Sequence, residues 1–126
     1  MNSIIEIRHL EFVRLRIGYL NKCNYSINLH LKELKNFGET DVRLTLVSVW
    51  NFVPNFSEKE CALFALTDYI LSANTSKNYE QVCMLLKPHF SNKQILALTK
   101  AIEQIDLWTR SLKHTESLHN FKKTSN

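Results

Sequence analysis

The sequence is poor in the two residues on which tight turns depend. Glycine and proline occur only twice each among 126 residues. Sandwiches and barrels use these residues at their frequent turns, so the scarcity argues against both classes and favours helices. The length is typical of one domain, and 44% of the residues are hydrophobic, which suffices for an ordinary buried core. The sequence therefore predicts a single compact all-α domain.

Long apolar runs are also missing. No stretch of about 18 apolar residues occurs, which a membrane-spanning helix would need. The first residues, M-N-S-I-I-E-I-R, bring charges where a secretion signal requires an uninterrupted apolar stretch. These features predict a cytoplasmic protein without a membrane partner.

The charge pattern gives no sign of nucleic-acid binding. The formal net charge is +4, but much of the excess lies near the C-terminus, in Arg110, Lys113, Lys122 and Lys123. A basic stripe with interleaved aromatic residues is absent, so we expect no nucleic-acid partner. We predict that residues 1–114 form the helical domain and that residues 115–126 form a polar C-terminal tail.

The spacing of apolar residues predicts six helices. In chain order, their apolar sides are expected within residues 5–20, 27–34, 44–50, 61–71, 79–86 and 95–112. Thr40, Ser57 and Ser91 are predicted to begin helices, and Ser57 forms a capping box with Glu60. Gly38 is expected to end the second helix. The large aromatic residues in these stripes are predicted to lie in the core: Trp50, Tyr69, Tyr79 and Trp108.

One short segment combines a thiol, a hydroxyl and an imidazole. The run N-K-C-N-Y-S-I-N-L-H begins at Asn21 and places Cys23, Ser26 and His30 at the spacing C-x-x-S-x-x-x-H. Cys23 precedes the second helix, whose unpaired N–H groups favour an anion, so we expect its thiolate to be stabilised. The three side chains can share one edge of the helix. Glu11 is the nearest candidate to hold the imidazole in a useful tautomer.

Each of these residues also has a purely structural explanation. Cysteine is often a small buried hydrophobe, histidine can be a satisfied core residue, and glutamate is mostly a solvated helix charge. A zinc site needs three or four ligands, whereas this cluster offers Cys23 and His30, so we expect no metal and no cofactor. The odd number of cysteines argues against a disulfide framework. Cys61 and Cys83 lie within amphipathic helices and are predicted to be packing residues.

From Leu10 through Arg110, the chain resembles the alkylhydroperoxidase D-like branch of the carboxymuconolactone decarboxylase family. The motif of that branch is Glu, eleven residues, Cys, two residues, Cys, three residues, His, and here it reads Glu11, Cys23, Ser26, His30. Further similar segments are V-S-V-W at 47–50, F-S-E-K-E-C-A-L at 56–63 and H-F-S-N-K-Q-I at 89–95. The resemblance implies a six-helix bundle that assembles as a dimer, trimer or hexamer.

The resemblance also implies a thiol oxidoreductase that acts as a peroxidase or disulfide reductase. In the family a cysteine pair alternates between dithiol and disulfide while the Glu–His pair relays protons. Ser26 replaces the cysteine nearer the histidine, and a hydroxyl cannot form a disulfide. The first hypothesis is therefore a one-cysteine enzyme, in which Cys23 attacks a peroxide or disulfide and an external thiol resolves it. His30 would be the base and Glu11 its partner.

Two other hypotheses belong to different classes. The second is the decarboxylase-type chemistry of the wider superfamily, in which polar groups move protons beside a lactone acid and no cysteine couple is needed. The third is a non-catalytic member that serves as an oligomeric scaffold or small-molecule binder. In that case Ser26 and His30 would only satisfy each other inside the bundle.

Overall fold

A computed structural model describes residues 4–73 and 76–124. Within these ranges the chain forms six α-helices and one 3-10 segment and contains no strand. The prediction of an all-α six-helix bundle is therefore confirmed. In chain order the helices are α1 (Ile7–Asn21), α2 (Asn24–Asn36), α3 (Asp41–Leu46), α4 (Glu58–Ile70), α5 (Tyr79–Leu86) and α6 (Asn92–Thr124), with the 3-10 segment Val47–Phe52 after α3.

Helix α1 is the centre of the bundle, because it packs against α2, α4, α6 and the 3-10 segment. Its two apolar sides enter two core clusters. On one side Val13 and Ile17 pack with residues of α4, α5 and α6, and on the other side Phe12 and Leu15 pack with residues of α2, α3 and α4. Burying a side chain of this size stabilises the fold by about 1.5–3 kcal/mol. These two clusters hold α1 and α2 in the positions that the site requires.

The helix starts follow the capping signals in the sequence. The side chain of Thr40 accepts from the Arg43 amide, and Ser57 and Glu60 form the predicted capping box. Ser91 accepts from the amide of Gln94, as a cap of α6 should. Gly38 follows the end of α2 with a φ of +91°, a left-handed conformation that glycine adopts without strain.

The junction between α1 and α2 is short and tightly held. Lys22 adopts a left-handed conformation with φ 52°, and the Cys23 amide donates to the Gly18 carbonyl at 3.0 Å. Gly18 lets the two helices approach closely, since a Cβ built there would lie 3.2 Å from Ile27 Cγ1 and 3.4 Å from Ser26 Oγ. The start of α2 is therefore pressed against α1.

Three parts of the predicted helix pattern were wrong. The third helix is α-helical only to Leu46, and the 3-10 segment that follows includes a non-helical Val49. Tyr79 is exposed at the start of α5. Trp108 is 66% exposed, because the buried stripe of α6 continues from Ile102 through Thr109 and leaves Trp108 at its edge. Trp50, in contrast, lies in the core.

Helix α6 does not end where the polar tail was predicted to begin. It continues through residues 115–124, and the last two residues of the predicted tail lie outside the described part of the chain. No helix in the described ranges is both long and apolar enough to cross a membrane.

Candidate functional site

An imidazole and a carboxylate from different helices meet inside the bundle. His30 Nδ1 of α2 lies 2.7 Å from Glu11 Oε2 of α1, and the Glu11 residue is only 7% exposed. The second carboxylate oxygen, Oε1, accepts from Arg14 Nη1 at 2.6 Å. Glu11 is therefore a paired site residue and not a solvated helix charge. The predicted Glu11–His30 pair is present in the structure.

The environment of Glu11 favours its ionised form. Burial alone would raise the pKa of this carboxyl, but the hydrogen bonds and charges of His30 and Arg14 outweigh burial and lower the pKa below its ordinary value. An ionised carboxylate only accepts hydrogen bonds, so His30 Nδ1 must carry the proton that lies between them. The other ring nitrogen, Nε2, is then the basic atom of a neutral His30. The pair has the arrangement of a general base with its orienting carboxylate.

His30 faces a cleft between α2 and α6. The cleft has a volume of about 430 Å³, and Ser26 and His30 lie on its wall together with Arg14. The rest of the lining is mainly apolar or aromatic and consists of Tyr25, Leu29, Gln104, Ile105, Trp108, Thr109 and Leu112. An apolar cleft with a few convergent polar groups is the usual form of a small-molecule site.

Cys23 occupies a different environment from Ser26 and His30. It is the N-cap residue of α2, it is 0% exposed, and it is not part of the cleft lining. In the described part of the chain, no hydrogen bond joins its sulfur to Ser26 or His30. The structure therefore brings Glu11, Ser26 and His30 to one site and keeps Cys23 buried at the helix junction.

The other two cysteines lie on α4 and α5, outside the cleft lining. All three cysteines are free thiols. Cys61 is half-buried on α4, where its sulfur lies 3.8 Å from the Phe56 carbonyl oxygen and burial raises the pKa of the thiol. Cys83 belongs to α5, which packs on α4. Among the described residues, no group of three or more histidine, cysteine or acidic side chains is arranged to hold a metal ion.

Two residues of the site were missed by the sequence reading. Arg14 lies three positions after Glu11, a spacing at which helical side chains meet, so this pair was visible in the sequence. Trp108 could not be found in this way, because its apolar character was taken as a sign of burial. Only the packing of α6 against α2 shows that Trp108 is part of the cleft wall.

Comparisons with known proteins show the family to which this chain belongs. The model of the carboxymuconolactone decarboxylase family matches residues 6–69, which include all four motif positions. The uncharacterized protein YdfG of Bacillus subtilis (strain 168) is 25% identical over 100 residues, which cover 79% of this chain and 68% of that protein. The crystal structure of ATU0492 from Agrobacterium tumefaciens matches with a TM-score of 0.76 and 31% identity, over 84% of this chain and 73% of that one.

ATU0492 is described as a protein of unknown function and as a candidate antioxidant defence protein AhpD. The fold and these matches thus define an alkylhydroperoxidase D-like helical protein. The chain belongs to the carboxymuconolactone decarboxylase family, in its alkylhydroperoxidase D-like branch.

Proposed function

We propose that the protein is a thiol-dependent oxidoreductase that reduces peroxides or disulfides with Cys23 as its single redox thiol. The observation that carries the proposal is the 2.7 Å contact between His30 Nδ1 and Glu11 Oε2. His30 lies in the first two turns of α2, the helix whose N-cap residue is Cys23. This pair supplies a base for the thiol and an acid for the leaving group. The candidate antioxidant role named for ATU0492 supports the same chemistry.

The peroxide reaction requires an external thiol. Once the junction at residues 22–24 opens, His30 takes the proton of Cys23, and the thiolate attacks the terminal peroxide oxygen, so that the S–O bond forms as the O–O bond breaks. The alkoxide that leaves takes the proton from His30 and departs as an alcohol. One external thiol condenses with the sulfenic acid and releases water, and a second thiol reduces the mixed disulfide. Ser26 has no part in disulfide formation.

The burial of Cys23 limits this chemistry. Because its side chain has no exposed area, a reagent reaches the sulfur only when the junction at residues 22–24 opens. We therefore expect Cys23 to react more slowly with iodoacetamide than the half-buried Cys61 and Cys83 in the folded protein. Small peroxides should be better oxidants than large ones.

Peroxide consumption in the presence of glutathione tests the proposal. We expect Cys23→Ser to abolish turnover, whereas Cys61→Ser should retain it and serves as the matched control. His30→Ala should lower the rate about 100-fold and should move the pH profile of Cys23 alkylation to higher pH. Equal turnover by the wild type and Cys23→Ser would refute the proposal, and an unchanged alkylation profile would remove His30 from the mechanism.

A second candidate function is proton transfer on a lactone acid. The observation that favours it is that Ser26, His30 and Arg14 line the cleft, whereas Cys23 does not. His30 would remove a proton from the substrate and Arg14 would face its carboxylate. Turnover of a lactone acid that survives Cys23→Ser would support this function. If neither assay detects turnover, the non-catalytic binder or scaffold is the better description.

We also propose that the protein forms a homo-oligomer, which is a dimer, trimer or hexamer. Large apolar side chains outside the cleft are exposed along α6: Leu96, Leu107 and Leu118. An exposed apolar face of this kind is typical of a surface that a partner covers. Sedimentation equilibrium tests the proposal, and Leu107→Glu should reduce the assembly to monomers. A monomeric wild-type protein would refute it.

A further inference from the structure

Ser26 is a polar residue of the cleft for which the thiol chemistry has no use. It is 2% exposed and lies on the wall beside His30. In the described part of the chain, its hydroxyl makes no hydrogen bond to another protein group. The close approach of α1 at Gly18, where a Cβ would lie 3.4 Å from Ser26 Oγ, limits the space around this side chain. A hydroxyl on the cleft wall without a protein partner is available to a ligand or to the imidazole one turn away.

Ser26, His30 and Glu11 are arranged as a nucleophile, a base and an orienting acid would be. Ser26 and His30 are four positions apart on α2, so their side chains lie one above the other on the same face. Helical side chains point toward the N-terminus, which directs His30 toward Ser26. Glu11 holds Nδ1 at 2.7 Å and leaves Nε2 as the basic atom. This is the logic of a serine–histidine–acid triad, which is recognised by geometry and not by chain order.

The start of α2 supplies hydrogen-bond donors for a negative charge. The first amides of a helix have no partner within it, and the side chain of the N-cap residue Cys23 makes no capping bond to them. The amides of Tyr25 and Ser26 therefore lie at the positive end of a 13-residue helix, and both residues belong to the cleft lining. Backbone donors at a nucleophile stabilise the oxyanion of acyl transfer.

From these observations we propose that Ser26 is an acylatable nucleophile and that the cleft hydrolyses small esters with apolar acyl groups. This activity uses the Glu11–His30 pair of the proposed function but does not use Cys23. The acyl group is expected to be apolar, because apolar and aromatic residues, among them Leu29, Ile105 and Trp108, make up half of the cleft lining.

The reaction needs no co-reactant other than water. His30 Nε2 takes the hydroxyl proton while Ser26 Oγ bonds to the ester carbonyl carbon, and the oxyanion collapses as the bond to the leaving oxygen breaks. The leaving alcohol takes the proton from His30. Water, deprotonated by the same nitrogen, then attacks the acyl-serine, releases the carboxylic acid and returns the proton to Ser26 Oγ.

Labelling with an alkyl fluorophosphonate tests the proposal directly. The Ser26 oxygen bonds to phosphorus, fluoride leaves and the hydroxyl proton passes to His30. We expect a mass increase of one adduct per chain, located at Ser26 by peptide mapping. Ser26→Ala should not be labelled, whereas Ser111→Ala, which changes an exposed serine of α6, should be labelled like the wild type. An unlabelled wild type, or an adduct on another residue, would overturn the proposal.

Two further variants separate the chemistry from a loss of fold. His30→Ala should slow labelling about 100-fold or more, whereas His114→Ala on the exposed side of α6 should leave the rate unchanged. Ser26→Cys should lose fluorophosphonate labelling and gain rapid alkylation by iodoacetamide at position 26. Failure of that alkylation, in a variant with native circular dichroism, would count against an activated position 26.

The two proposals can fail independently. Peroxide turnover depends on Cys23 and is measured without the fluorophosphonate, whereas the adduct is assigned by its position in the chain. Hydrolysis of p-nitrophenyl butyrate by the wild type, and its loss in Ser26→Ala, would then establish turnover. An adduct at Ser26 without peroxide consumption would support acyl transfer alone.

Discussion

Glu11 and His30, which are 19 residues apart in the chain, meet at 2.7 Å across the interface of α1 and α2. Their contact joins Nδ1 of the imidazole, whose Nε2 is the basic atom of the cleft, to a carboxylate that Arg14 also holds. The same contact stabilises the fold and prepares the site for proton transfer. A change at Glu11 should therefore affect both stability and chemistry.

Glu11→Gln tests this dual role through its pH dependence. The pKa of Glu11 is lowered in the folded protein, so the ionised carboxylate stabilises the fold. This stabilisation is complete above the ordinary carboxyl pKa of about 4.3 and is lost as the pH falls through the lower pKa of the folded protein. We expect the variant to be less stable by about 2 kcal/mol at neutral pH and nearly equal to the wild type at strongly acidic pH. Urea denaturation at both pH values measures this. A constant difference at all pH values would contradict it.

Arg43 should be the most important cation for acid-sensitive stability. It donates to both oxygens of Glu60 and both oxygens of Glu39, and its guanidinium lies over the rings of Phe12 and Phe56. Arg8 also contacts Glu39. Burial would raise the pKa of each glutamate, but the hydrogen bonds from Arg43 lower both values below the ordinary one.

Arg43→Ala leaves two largely buried carboxylates with fewer partners. We expect a loss of about 2–3 kcal/mol at pH 7, which should diminish at a pH below the lowered folded values, because both glutamates are then protonated. Lys35→Ala, which removes the exposed pair with Asp41, is the control and should change stability by about 0.5 kcal/mol or less. Thermal unfolding at pH 7 and at low pH separates these outcomes. Equal losses in both variants would contradict the prediction.

Asp68 compensates a buried positive charge near the 3-10 segment. Arg16 donates to both Asp68 oxygens at 2.8 and 2.9 Å and to the carbonyls of Val47 and Ser48. Trp50 Nε1 donates to Asp68 as well. Asp68→Asn should cost about 3–5 kcal/mol in urea unfolding, since Arg16 would stay buried without a counter-charge.

The control for Asp68 is the exposed ion pair on α6. Arg110→Ala removes the contact with Asp106, and we expect a change of about 0.5 kcal/mol or less. A loss below about 1 kcal/mol in Asp68→Asn would show that the carbonyl bonds alone hold Arg16.

The two tryptophans should respond differently to substitution. Trp108→Ala should change the free energy of unfolding by about 0.5 kcal/mol or less, because the side chain is 66% exposed. Trp50→Ala should lower it by about 3–5 kcal/mol, because Trp50 is only 9% exposed. In Trp50→Phe, acrylamide should quench the remaining tryptophan readily. In Trp108→Phe, the remaining tryptophan should resist quenching. Equal quenching in both variants would contradict the difference in exposure between Trp108 and Trp50.

Local signals accounted for most of the helices. The capping box of Ser57 and Glu60 and the cap of Thr40 depend on residues three positions apart, so the sequence shows them directly. The prediction was wrong after Leu46, where the choice between an α-helix and a 3-10 turn depends on packing and not on composition. It was wrong again at Trp108, because an apolar stripe does not show which of its edge residues a neighbouring helix covers.

The sequence by itself determined the all-α class, the helix starts and the placement of Ser26 and His30 on one helical face, because each depends on residues within a few positions of one another. Only the tertiary structure decided that Glu11 reaches His30, that Cys23 is buried and that Arg16 pairs with Asp68. These contacts join residues on different helices, and their distances depend on how α1 packs against its neighbours. That packing results from many apolar contacts acting together, which no single motif records.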